Sequence, residues 1–321
     1  MLDLPGVVAP PDDSPDATSV PQARRVAWHY GDPLGEQRRL EAGEGFVDRS
    51  DREVIRVAGP DRLTWLHTVT SQHVSELPPG QWTEALVLSP HGHVEHHLFL
   101  VDYGEAVWAH VEPGTAPELV AYLESMKFWA DVTVEDVTDG WAVVWLPGAD
   151  GVVFDSGGYT LVPRAELATW ASGHVPAAGT WAFEALRVAA GRARHLRETD
   201  HRTIPHEVGW IGVAVHLDKG CYRGQETVAR VQNLGQPPRR LVTLLLDGAA
   251  AQLPAPGDEV LLEGRSVGLV GTVAQHHELG PVALALVKRK VPADAALVVR
   301  TQGGVDVVAS QEAPASHPQP A

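Results

Sequence analysis

The last quarter of the chain constrains the fold most. After Pro237-Pro238 the texture changes to six short apolar runs, LVTLLLD, DEVLLEG, SVGLVGTV, PVALALV, ALVVR and VDVVA, separated by Gly, Pro and Asp turns. Strands of this length and spacing are the signature of a small β-barrel or sandwich. A domain boundary is expected near residue 240, with a barrel over 241–309.

Upstream, strands and helices mix without strict βαβ order, which predicts an α+β class over 24–240, in two subdomains. Val54, Ile55 and Val57 form a short strand that breaks at Gly59-Pro60; Asp61 then caps a helix carrying Leu63, Leu66 and Val69. EALVLSP, HVEHHLFLVDY and AVWAHVE read as an antiparallel meander with a turn at Pro90-His91-Gly92. Ala116 to Trp129 reads as a helix with Leu119, Leu123 and Met126 on one face, followed by strands in DVTVEDVT, WAVVWLPG and YTLVP. Thr180 to Arg194 reads as another helix, with Gly191 near its end. Residues 1–23 and 310–321 carry Pro, Asp, Ser and Ala without periodicity and read as disordered tails.

A net charge of −16 argues against a nucleic-acid partner, which calls for a basic stripe. The N-terminus lacks the basic start and apolar core of a secretory signal, and no run approaches the roughly 18 apolar residues of a membrane span. The single cysteine rules out an internal disulfide and an all-cysteine metal cage, and a lone thiol suits a reducing compartment. These features predict a cytoplasmic protein with no membrane partner.

That cysteine, Cys221, lies in KGCYRGQETVAR, between Lys219 and Arg223. Were Gly220-Cys221-Tyr222 extended, Lys219, Cys221 and Arg223 would share one side, and the cations would favour a thiolate. Cysteine is also among the most buried residue types, so the residues alone leave a reactive and a structural role equally open. Gly220 and Gly224 allow close approach of backbone to a ligand, or serve as turn glycines. Glu226, in Gln225-Glu226-Thr227, suits a helix N-terminus. In HGHVEHHL, His91, His93, Glu95 and His97 alternate; a solvated strand face is favoured over a zinc site, since no second segment converges and the spacing matches no metal motif. His195, His201, His206 and His216 are spread through loops. Glu207, in Pro205-His206-Glu207, offers a carboxylate to an aminopyrimidine edge or is a surface acid. Arg239 and Arg240 pair with an anionic ligand tail or cover the junction with their aliphatic stems.

In this order the pieces resemble the YgfZ family of folate-binding proteins, within the superfamily of the glycine-cleavage aminomethyltransferase (T-protein). K-G-C-Y-x-G-Q-E at Lys219 to Glu226 carries the resemblance. GPDRLTWLHTVTSQHVSELPPGQ, LVLSPHGHVEHHLFLV and FEALRVAAGRARHLRETDHRTIPHEVGW support it, over roughly residues 45–305. The resemblance implies a three-part cloverleaf around a folate pocket, ending in a small β-barrel. It implies tetrahydrofolate, or a one-carbon derivative, as cofactor, and iron–sulfur enzymes or cluster-assembly proteins as partners. It makes Cys221 the functional thiol, among Lys219, Gly220, Tyr222, Gly224, Gln225 and Glu226. Glu207 is then assigned to the pterin ring, and Arg239 or Arg240 to the glutamyl tail. The chain departs from T-proteins where they carry an aspartate in a T-N-D-like context: here the letters are Thr70-Ser71-Gln72-His73. Gln72 cannot act as a carboxylate base; His73 can only if it points inward. Three functions follow in order: a folate-dependent accessory role in iron–sulfur cluster assembly or repair, a folate-dependent aminomethyl or methyl transferase, and a folate-independent scaffold.

Overall fold

A computed structural model describes the chain except residues 1, 13, 19, 149–153, 155–157, 175 and 314–321. It divides into two compact units. One comprises Met1–Val87, His96–Phe183 and Ala214–Arg223; the other comprises Leu88–Glu95, Glu184–Val213 and Gly224–Ala321.

In the first unit a five-stranded sheet runs in the order Trp82–Leu88, Val94–Asp102, Ala106–Val111, Glu53–Ala58, Thr133–Asp136. The meander is present as its spacing predicted. Leu98, Leu100, Ile55, Val57, Val107 and Ala109 share one core with Leu66 and Val69 of helix Arg62–Val69 and Leu119 and Leu123 of helix Ala116–Ser125. That second helix stops four residues before the expected Trp129. A smaller sheet orders Tyr159–Pro163, Trp141–Trp145, Phe46–Asp48 and Ala177–Ala178. Its core takes in Leu2 beside Phe46, Val144 and Leu167, and Ala17 and Val20 are also buried. The N-terminal residues expected to lie outside the fold thus place Leu2, Ala17 and Val20 within it, while Val8 stays exposed.

Of the alternating set, His91 and Glu95 are exposed and His93 is half-buried, so the solvated face holds as far as Glu95 and ends at His97. His97 is buried with its Nε2 2.8 Å from Glu84 Oε2, while Glu95 is exposed. From there the strand is covered on both faces: Leu98 and Leu100 lie in the core, and Phe99, on the His97 side, stacks on His110 at 4.9 Å and meets Tyr159 at 5.2 Å. Alternation then no longer separates inside from outside.

In the second unit all six predicted strands appear. They close a barrel in the order Arg239–Leu246, Gly280–Lys288, Arg265–His276, Glu259–Leu262, Leu297–Arg300, Asp306–Glu312. Val242, Leu244, Ala283, Ala285, Val299 and Val307 fill its interior. The last strand runs to Glu312, past the expected end at 309, and 314–321 lie outside the described residues.

The barrel's unit begins far upstream of residue 240. Ala185 and Val188 of helix Thr180–Ala189 pack on Leu241, Val282 and Leu284. Beside them the buried Arg187 donates to Glu184 Oε2 (2.7 Å), Glu198 Oε2 (3.0 Å) and Thr272 Oγ1 (2.8 Å). Thr272 reaches this network because the strand register shifts between Val270 and Val273. A Cβ on the intervening Gly271 would lie 2.8 Å from Glu198 Oε1, so the bulge and the ion network fit only with glycine there.

Candidate functional site

Residues 219 to 224 are irregular, not a strand, so the predicted sidedness of Lys219, Cys221 and Arg223 does not arise. Lys219 is buried and its ammonium donates to the carbonyls of His67 and Thr70, at the end of helix Arg62–Val69. A cation there meets the negative end of the helix dipole. Burial lowers this ammonium to about 8, and it stands 4.9 Å from the centre of the Tyr222 ring. Tyr222 is itself buried, its phenol pushed up to about 12 by desolvation. The Arg223 guanidinium lies over Tyr122 at 5.4 Å. Between these anchors Cys221 is an exposed free thiol. The buried-hydrophobe reading of the cysteine is thereby removed. The two cations expected to flank the sulfur engage a helix end and an aromatic ring.

The glycines differ. Gly220 is exposed, and a Cβ there would meet nothing within 4 Å. Gly224 has φ +83° and caps helix Gln225–Leu234; a Cβ there would lie 2.6 Å from Ser89 O and 3.0 Å from Gly92 Cα. Its glycine is explained by the turn and by the hairpin tip, without a ligand. Glu226 is exposed in the first turn of that helix, where its charge suits the dipole.

Glu207 closes the 3-10 turn Pro205–Glu207 and is buried, not a surface acid. Its Oε2 accepts from Ile204 N (3.1 Å), and Arg239 donates Nε to Oε1 and Nη2 to Oε2, both at 2.8 Å. Arg239 also donates Nη1 to Asp200 Oδ2 at 2.6 Å, which holds the Asp200 carboxyl well below the usual carboxylate range. The residues assigned to the pterin ring and to the glutamyl tail therefore hold each other. Arg240, one residue along the strand, turns to the barrel and donates to Gln311 Oε1 (2.6 Å) and Val291 O (3.2 Å). As they stand these side chains offer no open edge to a folate.

Sequence reading missed the surroundings of Lys219. His73 does not turn inward: it is exposed, with Nε2 2.9 Å from Ser75 Oγ. Its ring stands 4.8 Å from His67 and 5.3 Å from His216. His67 is lowered first by burial, then by Lys219 and the other two imidazoles. Gln72 is buried, and its Oε1 accepts from His73 N at 3.0 Å. Also missed was a buried polar cluster in the same unit. Arg52 donates Nε to His110 Nδ1 and Nη1 to Glu112 Oε1, both at 2.6 Å, while among the described residues Arg52 Nη2 and His110 Nε2 find no partner. Burial and Arg52 hold His110 well below its ordinary range. Arg52 and His110 are 58 positions apart, and nothing local in the letters marks their meeting.

Residues 26–152 match the GCVT N-terminal domain family. A putative chloroplastic transferase of Arabidopsis thaliana is 26% identical over 271 residues, which cover 71% of this chain and 61% of that protein. An aminomethyltransferase of a Nostoc species is 24% identical over 305 residues, 80% of each chain. The crystal structure of the glycine cleavage system aminomethyltransferase T from Bartonella henselae superposes with a TM-score of 0.74 at 20% identity, over 90% of this chain and 91% of that one. The fold is that of the glycine-cleavage T-protein, and the relatives support a place in its superfamily. Among the described residues no helix is long and apolar enough to cross a membrane.

Proposed function

We propose that the chain is a tetrahydrofolate-binding accessory protein that supports the assembly or repair of iron–sulfur clusters through Cys221. The observation that carries this reading is the exposed thiol of KGCYRGQE, held out between an anchored Lys219 and a buried Tyr222. A cysteine kept for packing would be buried; this one is supported on both sides and left accessible. One cysteine cannot hold a cluster alone, so the remaining ligands come from an iron–sulfur enzyme or assembly protein.

The folate part of the reading rests on the T-protein fold. Tetrahydrofolate, when bound, supplies or removes a one-carbon unit. Within this chain, Glu207 meets a pterin ring only if it releases Arg239, and Arg239 meets a glutamyl tail only in the same event. The names of the relatives favour the alternative of aminomethyl or methyl transfer. Against it, Gln72 stands at the position compared with the T-protein aspartate, and His73 faces solvent.

The test is complementation. A strain lacking the gene is expected to lose activity of iron–sulfur enzymes and to regain it with the wild-type chain but not with Cys221→Ala. Full rescue by Cys221→Ala would remove the thiol from the function.

A further inference from the structure

After helix Ala116–Ser125 the chain presents two large aromatics to solvent: Phe128 is 80% exposed and Trp129 is 97% exposed. They are not on a loose loop. Trp65 Nε1 donates to Met126 O at 3.1 Å, Ala130 N to Lys127 O at 2.8 Å and Asp131 N to Asp61 Oδ2 at 2.9 Å. Phe128 has φ +41°, a conformation an aromatic residue adopts only under constraint. A strained backbone, fastened on both sides, thus carries an aromatic knob. Beside it Asp131 is exposed, while the nearby Lys127 pairs with Glu124.

The second unit carries the complementary surface. A groove of about 610 Å³ opens between residues 196–200 and the barrel strands Arg265–His276 and Gly280–Lys288. Leu196, Val267, Leu269 and Leu286 line it. Leu196 is 57% exposed with φ +65°, and Leu269 is 53% exposed, so its apolar wall is open to water. At its rim Lys288 is exposed and donates to Ser266 O at 2.9 Å. The volume lies in the range of ligand-sized clefts and admits two aromatic side chains.

We propose that the knob Phe128-Trp129 of one copy seats in the barrel groove of a second copy of this chain, with Asp131 facing Lys288. Knob and groove are each complete within their own unit. The occupant is a second copy because the shape, the apolar character and the local charge of the groove match a feature that this same chain displays. The contact is heterologous: each copy uses its knob on one neighbour and its groove on another, so association continues past the dimer. Two aromatics bury roughly 300–500 Å² between them. A contact of that size is weak, with a dissociation constant on the order of tens to hundreds of micromolar.

The test is sedimentation equilibrium of the full chain from about 5 to 500 μM near physiological ionic strength, where the Debye length of about 8 Å screens the net charge. The wild-type average mass is expected to rise above the 34.5 kDa monomer with concentration. The knob variant Phe128→Ser/Trp129→Ser and the groove variant Leu269→Asp/Lys288→Glu are each expected to stay monomeric. All four side chains are exposed, so the fold is kept, and circular dichroism confirms it. Mixed in equal amounts, the two variants restore one intact contact and are expected to stop at a heterodimer. A wild-type chain that stays at 34.5 kDa throughout overturns the proposal, as does self-association by either variant, or a mixture that remains monomeric.

Discussion

Arg239 grips Glu207 with two parallel hydrogen bonds of 2.8 Å, and the carboxylate is buried while the guanidinium is a quarter exposed. The pair ties the turn Pro205–Glu207 to the first strand of the barrel. Any ligand that uses either residue must break it.

Glu207→Ala is therefore expected to cost stability before it costs binding. Removing the acid strands a guanidinium that is only a quarter exposed and keeps Asp200 and Thr203, a loss of about 2–3 kcal/mol after allowing for that exposure. Urea unfolding measures it. A shift of the midpoint worth less than about 0.5 kcal/mol would show that the pair is incidental to the fold.

Arg187→Ala is expected to be more damaging, about 3–5 kcal/mol, because it leaves Glu184 and Glu198 buried without this partner. Arg187→Met, which keeps the volume, is expected to fall in the same range, since the acids remain. Thermal unfolding of both variants separates this from a packing effect, which methionine would restore.

Stability is expected to fall on acidification below pH 6.5. His96 is buried and pushed down to about 4 by desolvation, so between these values the unfolded chain binds a proton that the folded chain does not. At pH 5 this amounts to about 2 kcal/mol relative to pH 7.5. Urea midpoints across that range should slope in the wild type and flatten in His96→Gln. Equal slopes in the two proteins would assign the acid sensitivity elsewhere, for which the buried His110 is the next group.

Cys221→Ala is expected to leave stability within about 0.5 kcal/mol of wild type, because the thiol is exposed. Lys219→Met is expected to cost about 1–3 kcal/mol, because the carbonyls of His67 and Thr70 lose their charged donor. The reverse order, a destabilised Cys221→Ala beside an unaffected Lys219→Met, would contradict the anchoring described here.

What was legible in the letters was what is periodic. The six barrel strands and the meander were read correctly because alternation and turn residues are local signals. Helix ends were overrun: Thr180–Arg194 stops at Ala189, before Gly191 at φ +68°, and Ala116–Trp129 stops at Ser125, before Phe128 turns left-handed. The site was legible as residues but not as geometry. Glu207 and Arg239 are 32 positions apart, and a carboxylate's partner is set by tertiary structure. Lys219 was read by strand alternation, which has no meaning in an irregular segment.

The most direct measurement of the central claim is an anaerobic calorimetric titration of the full chain with tetrahydrofolate. Saturable binding at one site, equal in wild type and Cys221→Ala, is the result predicted: the folate site stands apart from the thiol that acts with it. No saturable heat at millimolar ligand would contradict the account. The T-protein fold would then be a scaffold for Cys221 alone.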